Sequence, residues 1–188
     1  MKSVLISIHP KWCAKIASGS KTIEVRKTAP KIETPFRVYI YCTKGNPNDP
    51  HQRLETHATN GKIKLANGTV FAEFICDRIT TTAVWRLLDK TGKCAKRTDE
   101  EKEFPELACL TIPEIREYAG SNQRIVYGWH ISDLVIYDEP KPLGDFLRCT
   151  YPWDCGFCYQ YDDAEMVCKK KLIPPQSWCY VERGTDNA

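Results

Sequence analysis

The sequence predicts a mixed α+β fold dominated by strands, a compact mixed β-barrel with short flanking helices, and three observations point there. Apolar residues alternate with a period of two in several short runs bounded by turn residues. The segments with helical spacing are short and do not alternate regularly with the strands, which argues against a βαβ array. At 188 residues, 42% hydrophobic and 27% charged, the chain is long enough for one well-buried core and has the composition of a folded protein.

Val4–Ile8 reads as a strand, and Pro10 suits the first turn of a helix over Pro10–Ser18. In that helix Trp12, Cys13, Ile16 and Ala17 share one face while Lys11, Lys15 and Ser18 share the other, and Gly19 ends it. Lys21–Lys27 is the next strand, with Ile23 and Val25 pointing one way and Thr22, Glu24 and Arg26 the other. In the third, Phe36–Cys42, the residues Phe36, Val38, Ile40 and Cys42 face the core and Arg37, Tyr39 and Tyr41 the opposite side. A polar excursion follows from Thr43 to Asn60. Asn60-Gly61 and Asn67-Gly68 then bracket Lys62–Ala66, and the second pair signals a hairpin into a strand over Thr69–Ile79. Asp89–Glu106 is highly charged and reads as a loop or an exposed helix. Ile112–Tyr118 reads as a short helix, and Arg124–Tyr137 as a long strand bent at Ser132-Asp133. The organisation is a core over residues 1–145, a Cys-rich insertion over 146–172, and a segment over 173–188 that returns to the core.

The opening apolar run breaks at His9-Pro10, too early for a signal-peptide core, and no other run approaches a membrane span. A cytoplasmic protein is expected, with no membrane partner. Net charge is +3, but residues 1–45 carry nine Lys and Arg against Glu24 and Glu33 alone, leaving that quarter at +7 and the remainder at −4. Such asymmetry favours an anionic partner such as a nucleic acid; the plainer reading is a lysine-solubilised surface.

The candidate site is Gly19-x-Lys21-x-x-Glu24-x-Arg26. The glycine lets the chain turn sharply into a strand that presents a cation, a carboxylate and a guanidinium within six positions. Lys21 binds phosphate as a point charge and Arg26 as a planar fork. Glu24 between them accepts from a base amine or, in an enzyme, acts as a general base together with Lys21. The structural alternative is an ion pair within the trio that orders the turn. Either way both side chains are expected on a turn or a polar face, replaceable without loss of the fold. Tyr39, Tyr41, Tyr127 and Trp129 are candidate stacking platforms, with cross-strand packing as the alternative. His130 should point away from Trp129 and reads as a hydrogen-bonded strand residue. Cys109 lies before a helix start, where a thiolate is stabilised, although a buried small hydrophobe is the competing role. Glu73 and Asp77 are weaker cleft candidates that read as solvent-facing.

The early strand, the helix and the GxKxxExR spacing resemble the activating-signal-cointegrator homology (ASCH) domain of the PUA-like superfamily. Val70–Ile79, Ala108-Cys109-Leu110-Thr111, Tyr127–Leu134 and Pro174–Glu182 resemble its phage- and Gram-positive-associated branch, so the likeness spans most of the chain. The resemblance implies a PUA-like β-barrel with a cleft beside the GxKxxExR strand that holds RNA, a nucleotide or a nucleoside. Some members of the family are hydrolases that deacylate N4-acylated cytidine or cut RNA. The deacylating subgroup has a hydroxyl residue where this chain has Glu24, and its remaining catalytic carboxylate has no match around Ala108-Cys109.

Of ten cysteines, five lie in the last forty residues. Cys149, Cys155, Cys158 and Cys168 follow a C-x5-C-x2-C-x9-C pattern, in which a C-x-x-C pair and two further thiolates complete a tetrahedral structural zinc site. With four thiolates the metal keeps no open position for catalysis. Reduced unliganded cysteines and a redox C-x-x-C are the alternatives, and Cys179 is assigned to packing. The appendage also suggests a third class of function, docking of a protein partner. Nothing in the sequence fixes the oligomeric state.

Overall fold

A computed structural model describes residues 3–46, 48–57, 63–84, 98–121, 125–148 and 173–183. Among these, eleven strands and three α-helices are present, so the mixed α+β class holds. The chain divides into two units, residues 1–13, 37–73 and 135–188 in the first and residues 14–36 and 74–134 in the second.

The first unit is organised by β1 (Ser3–Ile8), a strand buried along its whole length. It pairs antiparallel with β11 (Trp178–Arg183) and parallel with β3 (Phe36–Cys42), placing Leu5 opposite both Cys179 and Tyr39. A strand paired on both edges and covered on both faces needs the near-continuous apolar run that Val4–Ile8 supplies. The full order is β10-β11-β1-β3-β6-β9, where β6 is Val70–Cys76, β9 is Ser132–Lys141 and β10 is Phe146–Arg148. Within the segment over 173–188, Trp178–Arg183 forms β11, whereas β10 had no counterpart in the sequence reading.

Two expectations fail in this unit for one reason, which is that β3 is an inner strand. Tyr39 and Tyr41 are each 3% exposed and join Leu5, Val70, Phe146 and Val181 in a core cluster. The Tyr39 ring meets the Phe146 ring edge-on at 4.8 Å, so it is a packing residue here and not an open stacking platform. Cys179 is half-buried against the same cluster, consistent with packing. The Asn67-Gly68 turn forms, with Gly68 at φ +79 and the Asn67 amide bonded to the backbone of Lys44, Gln52 and Leu54. Its flanking strands nevertheless do not pair with each other: β5 (Ile63–Leu65) pairs with β4 (Glu55–His57), while β6 joins the large sheet.

The second unit carries the antiparallel sheet β2-β8-β7, formed by Ile23–Arg26, Ile125–His130 and Ile79–Ala83. The predicted long strand over Arg124–Tyr137 is two strands, β8 and β9, parted at Ile131, and the expected bend at Ser132-Asp133 falls just inside β9, with Asp133 in the left-handed region (φ +47). Helix α1 (Pro10–Ala17) ends at Gly19, φ +75. The charged stretch contains α2 (Asp99–Leu107), started by a reciprocal Thr98/Glu101 cap, and α3 (Ile112–Ala119) starts on an equivalent Thr111/Glu114 cap. α2 is no exposed helix. Its Phe104 is fully buried, and with Ala108, Ile115 and Ala119 it packs on Ile23, Val25 and Val126. Gly128 makes that approach feasible, because a Cβ there would sit 2.5 Å from Phe104 Cε2 and 2.7 Å from Ile23 Cγ2.

The described strands make six-, three- and two-stranded sheets, and no single closed barrel is seen among them. Cys149, Cys155, Cys158 and Cys168 lie outside the described residues. No described helix is long and apolar enough to cross a membrane.

Candidate functional site

The turn at Gly19 delivers Ser20–Thr22 alongside the chain that links α2 to α3. Thr22 N donates to Leu107 O at 3.0 Å, Lys21 Nζ to Ala108 O at 2.7 Å and the Cys109 thiol to Ser20 O at 3.1 Å. Cys109 itself adopts φ 52, which aims the Ala108 and Cys109 groups at the turn. Its half-exposed sulfur lies against the turn, so Cys109 is not the fully buried hydrophobe of the competing reading.

Glu24 bridges the two cations. Its Oε1 lies 3.0 Å from Arg26 Nη2 and its Oε2 3.4 Å from Lys21 Nζ, with no hydrogen bond to Oε2. The trio was expected on a turn or polar face, yet Lys21, Glu24 and Arg26 are 3%, 6% and 7% exposed. The whole of β2 is buried, including the face that alternation assigns to solvent. The internal ion pairing weighed as the structural alternative is thus present, in a setting where charge is costly.

Register explains which neighbours share that face. Glu24 pairs with Trp129 and Arg26 with Tyr127, whereas Ile23 and Val25 pair with His130 and Gly128 on the side that packs against α2 and α3. The proposed grouping of Lys21, Glu24, Arg26, Tyr127 and Trp129 is therefore brought together. Trp129 is fully buried and meets Phe36 edge-on at 5.8 Å, which makes it a wall of the site without an open ring face. Tyr127 is half-buried. Tyr39 belongs to the core of the other unit.

Tyr118, on α3, is the neighbour that sequence reasoning missed. It is 38% exposed, and Lys27 Nζ lies 5.3 Å from its ring centroid. Partial burial pushes its phenol above the ordinary range, Arg26 opposes this and the Glu24 carboxylate adds to it. A tyrosine on the rim of a short helix carries no chemical signal in sequence; only the packing of α3 beside the end of β2 reveals it.

His130 is half-buried, with Nε2 2.7 Å from Thr80 Oγ1 and Nδ1 3.2 Å from Arg78 Nη2, the hydrogen-bonded strand role expected. Glu73 is half-buried, not solvent-facing, because it binds Arg37 and the Tyr137 hydroxyl, whereas Asp77 is exposed. No group of three or more His, Cys, Asp or Glu is placed to hold a metal among the described residues.

No protein-family model matches the sequence, and no curated protein matches it. Among solved structures, the crystal structure of ASCH from Zymomonas mobilis aligns with a TM-score of 0.51 at 19% identity, over 75% of this chain and 73% of that one. Structures of a Tyr-to-Phe and a Ser-to-Ala variant of the Z. mobilis protein align at TM-scores of 0.45 and 0.46, with 19% and 20% identity. They cover 76% and 73% of this chain and 77% and 70% of theirs. At such identity the likeness to the first structure speaks to architecture alone. The chain has the fold of the ASCH domain.

Proposed function

We propose that the chain is a nucleic-acid-binding module that takes RNA or a nucleotide at the Lys21–Glu24–Arg26 cluster. The observation that carries this reading is the buried trio itself, two cations on one bridging carboxylate with a net charge of +1. A buried ion pair roughly breaks even against apolar packing, so stability alone gives little reason for it. As a binding device it makes sense: Lys21 is already held by Ala108 O, and Arg26 is already fixed by Glu24, which lowers the ordering cost of taking up a phosphate. The +7 charge of residues 1–45 adds long-range attraction for such a ligand.

A second reading is favoured by one atom. Glu24 Oε2 lies beside Lys21 Nζ with no hydrogen bond of its own, an arrangement suited to a carboxylate that takes a proton from water while the ammonium stabilises developing negative charge. In that case the module is a hydrolase of RNA or of an N4-acylated cytidine. A structural zinc held by Cys149, Cys155, Cys158 and Cys168 is a separate proposal, supported by their spacing.

Time-resolved chromatography of the protein with single-stranded RNA and with N4-acetylcytidine distinguishes the readings. The binding module returns both unchanged. Product formed by wild type and lost in Glu24→Gln, with that variant folded, establishes the hydrolase instead.

A further inference from the structure

We infer that Tyr118 and Lys27 form an outer subsite for one unstacked nucleotide, the base lying on the Tyr118 ring and its phosphate at Lys27, so that the ligand is single-stranded. This rests on the reading of the Lys21–Glu24–Arg26 cluster as a nucleic-acid site.

Exposure decides which aromatic ring is available. Trp129 shares the face of Glu24 but is fully buried, and Tyr127, paired with Arg26, is half-buried between strands. Tyr118 is 38% exposed, the open ring beside the cluster. Its ring lies under Lys27 Nζ, 5.3 Å from the centroid, a contact that restrains the ring plane. Lys27 is itself exposed, one residue beyond the end of β2, and β2 is an edge of its three-stranded sheet. A cation therefore stands next to a stacking surface, the pairing that single-strand sites use.

The same geometry selects against a duplex. Lys21, Glu24 and Arg26 are each under 8% exposed, too recessed for a helical groove to reach. Bases in a duplex already stack on one another and reach a protein ring only by being extruded. A single strand offers both the free base and a backbone thin enough to bring a phosphate to Lys27.

The test is a fluorescence-anisotropy titration with a labelled single-stranded 12-nucleotide RNA of mixed sequence and with the same strand annealed to its complement. Wild type is expected to favour the single strand. Tyr118→Ala should weaken it about 5- to 150-fold, the loss of one stacked base, while Tyr118→Phe keeps the ring and stays within about twofold of wild type. Lys27→Ala should reduce the slope of log affinity against log salt by about 0.7, one phosphate contact. In a second measurement, 4-thiouridine placed in the strand should cross-link to the peptide that contains Tyr118. Equal affinity for both RNA forms, or an unaltered Tyr118→Ala with a weakened Tyr127→Ala, overturns the subsite while leaving the cluster as the binding site. No binding of either RNA by wild type overturns the cluster reading and the subsite with it.

Discussion

Removing the Glu24 carboxylate should destabilise the protein far more than a surface residue would. Its side chain is 8% exposed and balances Lys21 at 3.4 Å and Arg26 at 3.0 Å, whose own side chains are 2% and 9% exposed. In Glu24→Ala the Lys21 ammonium keeps its bond to Ala108 O, whereas Arg26 loses the carboxylate that compensates its burial. Breaking a buried pair from one side costs about 3–5 kcal/mol, against a total stability of about 5–15 kcal/mol. Urea unfolding followed by circular dichroism should show the midpoint falling by roughly 1–4 M. The double variant Glu24→Leu/Arg26→Leu should recover much of the loss, because the uncompensated guanidinium is gone. A Glu24→Ala cost below about 0.5 kcal/mol, the size seen for exposed pairs, would refute the claim that this cluster is buried and mutually dependent.

Gly128→Ala should cost about 1–3 kcal/mol, since its methyl would meet Phe104 Cε2 at 2.5 Å, and pairing it with Phe104→Leu should restore part of the loss in the same unfolding assay. Burial pushes the Cys76 thiol up to about 12, so in the native protein it should resist iodoacetamide at about pH 8 while Cys109, half-exposed, is labelled; mass spectrometry of digested protein reads the order, and faster labelling of Cys76 contradicts it. Because that value lies above the ordinary 9.0, the associated stability is present below pH 9.0 and declines as pH rises toward about 12, a loss that Cys76→Ala should remove. Protein purified without chelator should carry about one zinc per chain, and elemental analysis finding well under half an equivalent removes the assignment of Cys149, Cys155, Cys158 and Cys168.

Local chemistry made much of this fold legible. The apolar run Val4–Ile8, the Pro10 start and Gly19 stop of α1, and the bend at Asp133 are each dictated by neighbouring residues, and each stands where the sequence places it. What depends on distant partners was not readable. Tyr39 and Tyr41 alternate like solvent-facing residues, yet an inner position between β1 and β6 buries them. Asn67-Gly68 turns the chain as its residues require, but the strands beside it find other partners. α2 looks exposed because Asp99, Glu100, Lys102 and Glu103 dominate its composition, while the single Phe104 anchors it through a gap left by Gly128. At the site, the spacing of Lys21, Glu24 and Arg26 foretold their association. Their depth, and the nearness of Tyr118, follow from β2–β8 register and the packing of α3, which no one segment encodes.

Binding of an anionic nucleic-acid ligand at this cluster is read out by an equilibrium titration of labelled single-stranded RNA with wild type and Lys21→Met at two salt concentrations. Methionine keeps the stem of the side chain and leaves the Glu24–Arg26 pair in place, so the variant should fold, as its circular dichroism will show. Wild-type affinity should fall as salt rises, by a slope of about −0.7 per phosphate contacted, and Lys21→Met should bind more weakly with a shallower slope. Wild-type affinity that is indifferent to salt, or a folded Lys21→Met that binds as wild type does, would contradict the claim.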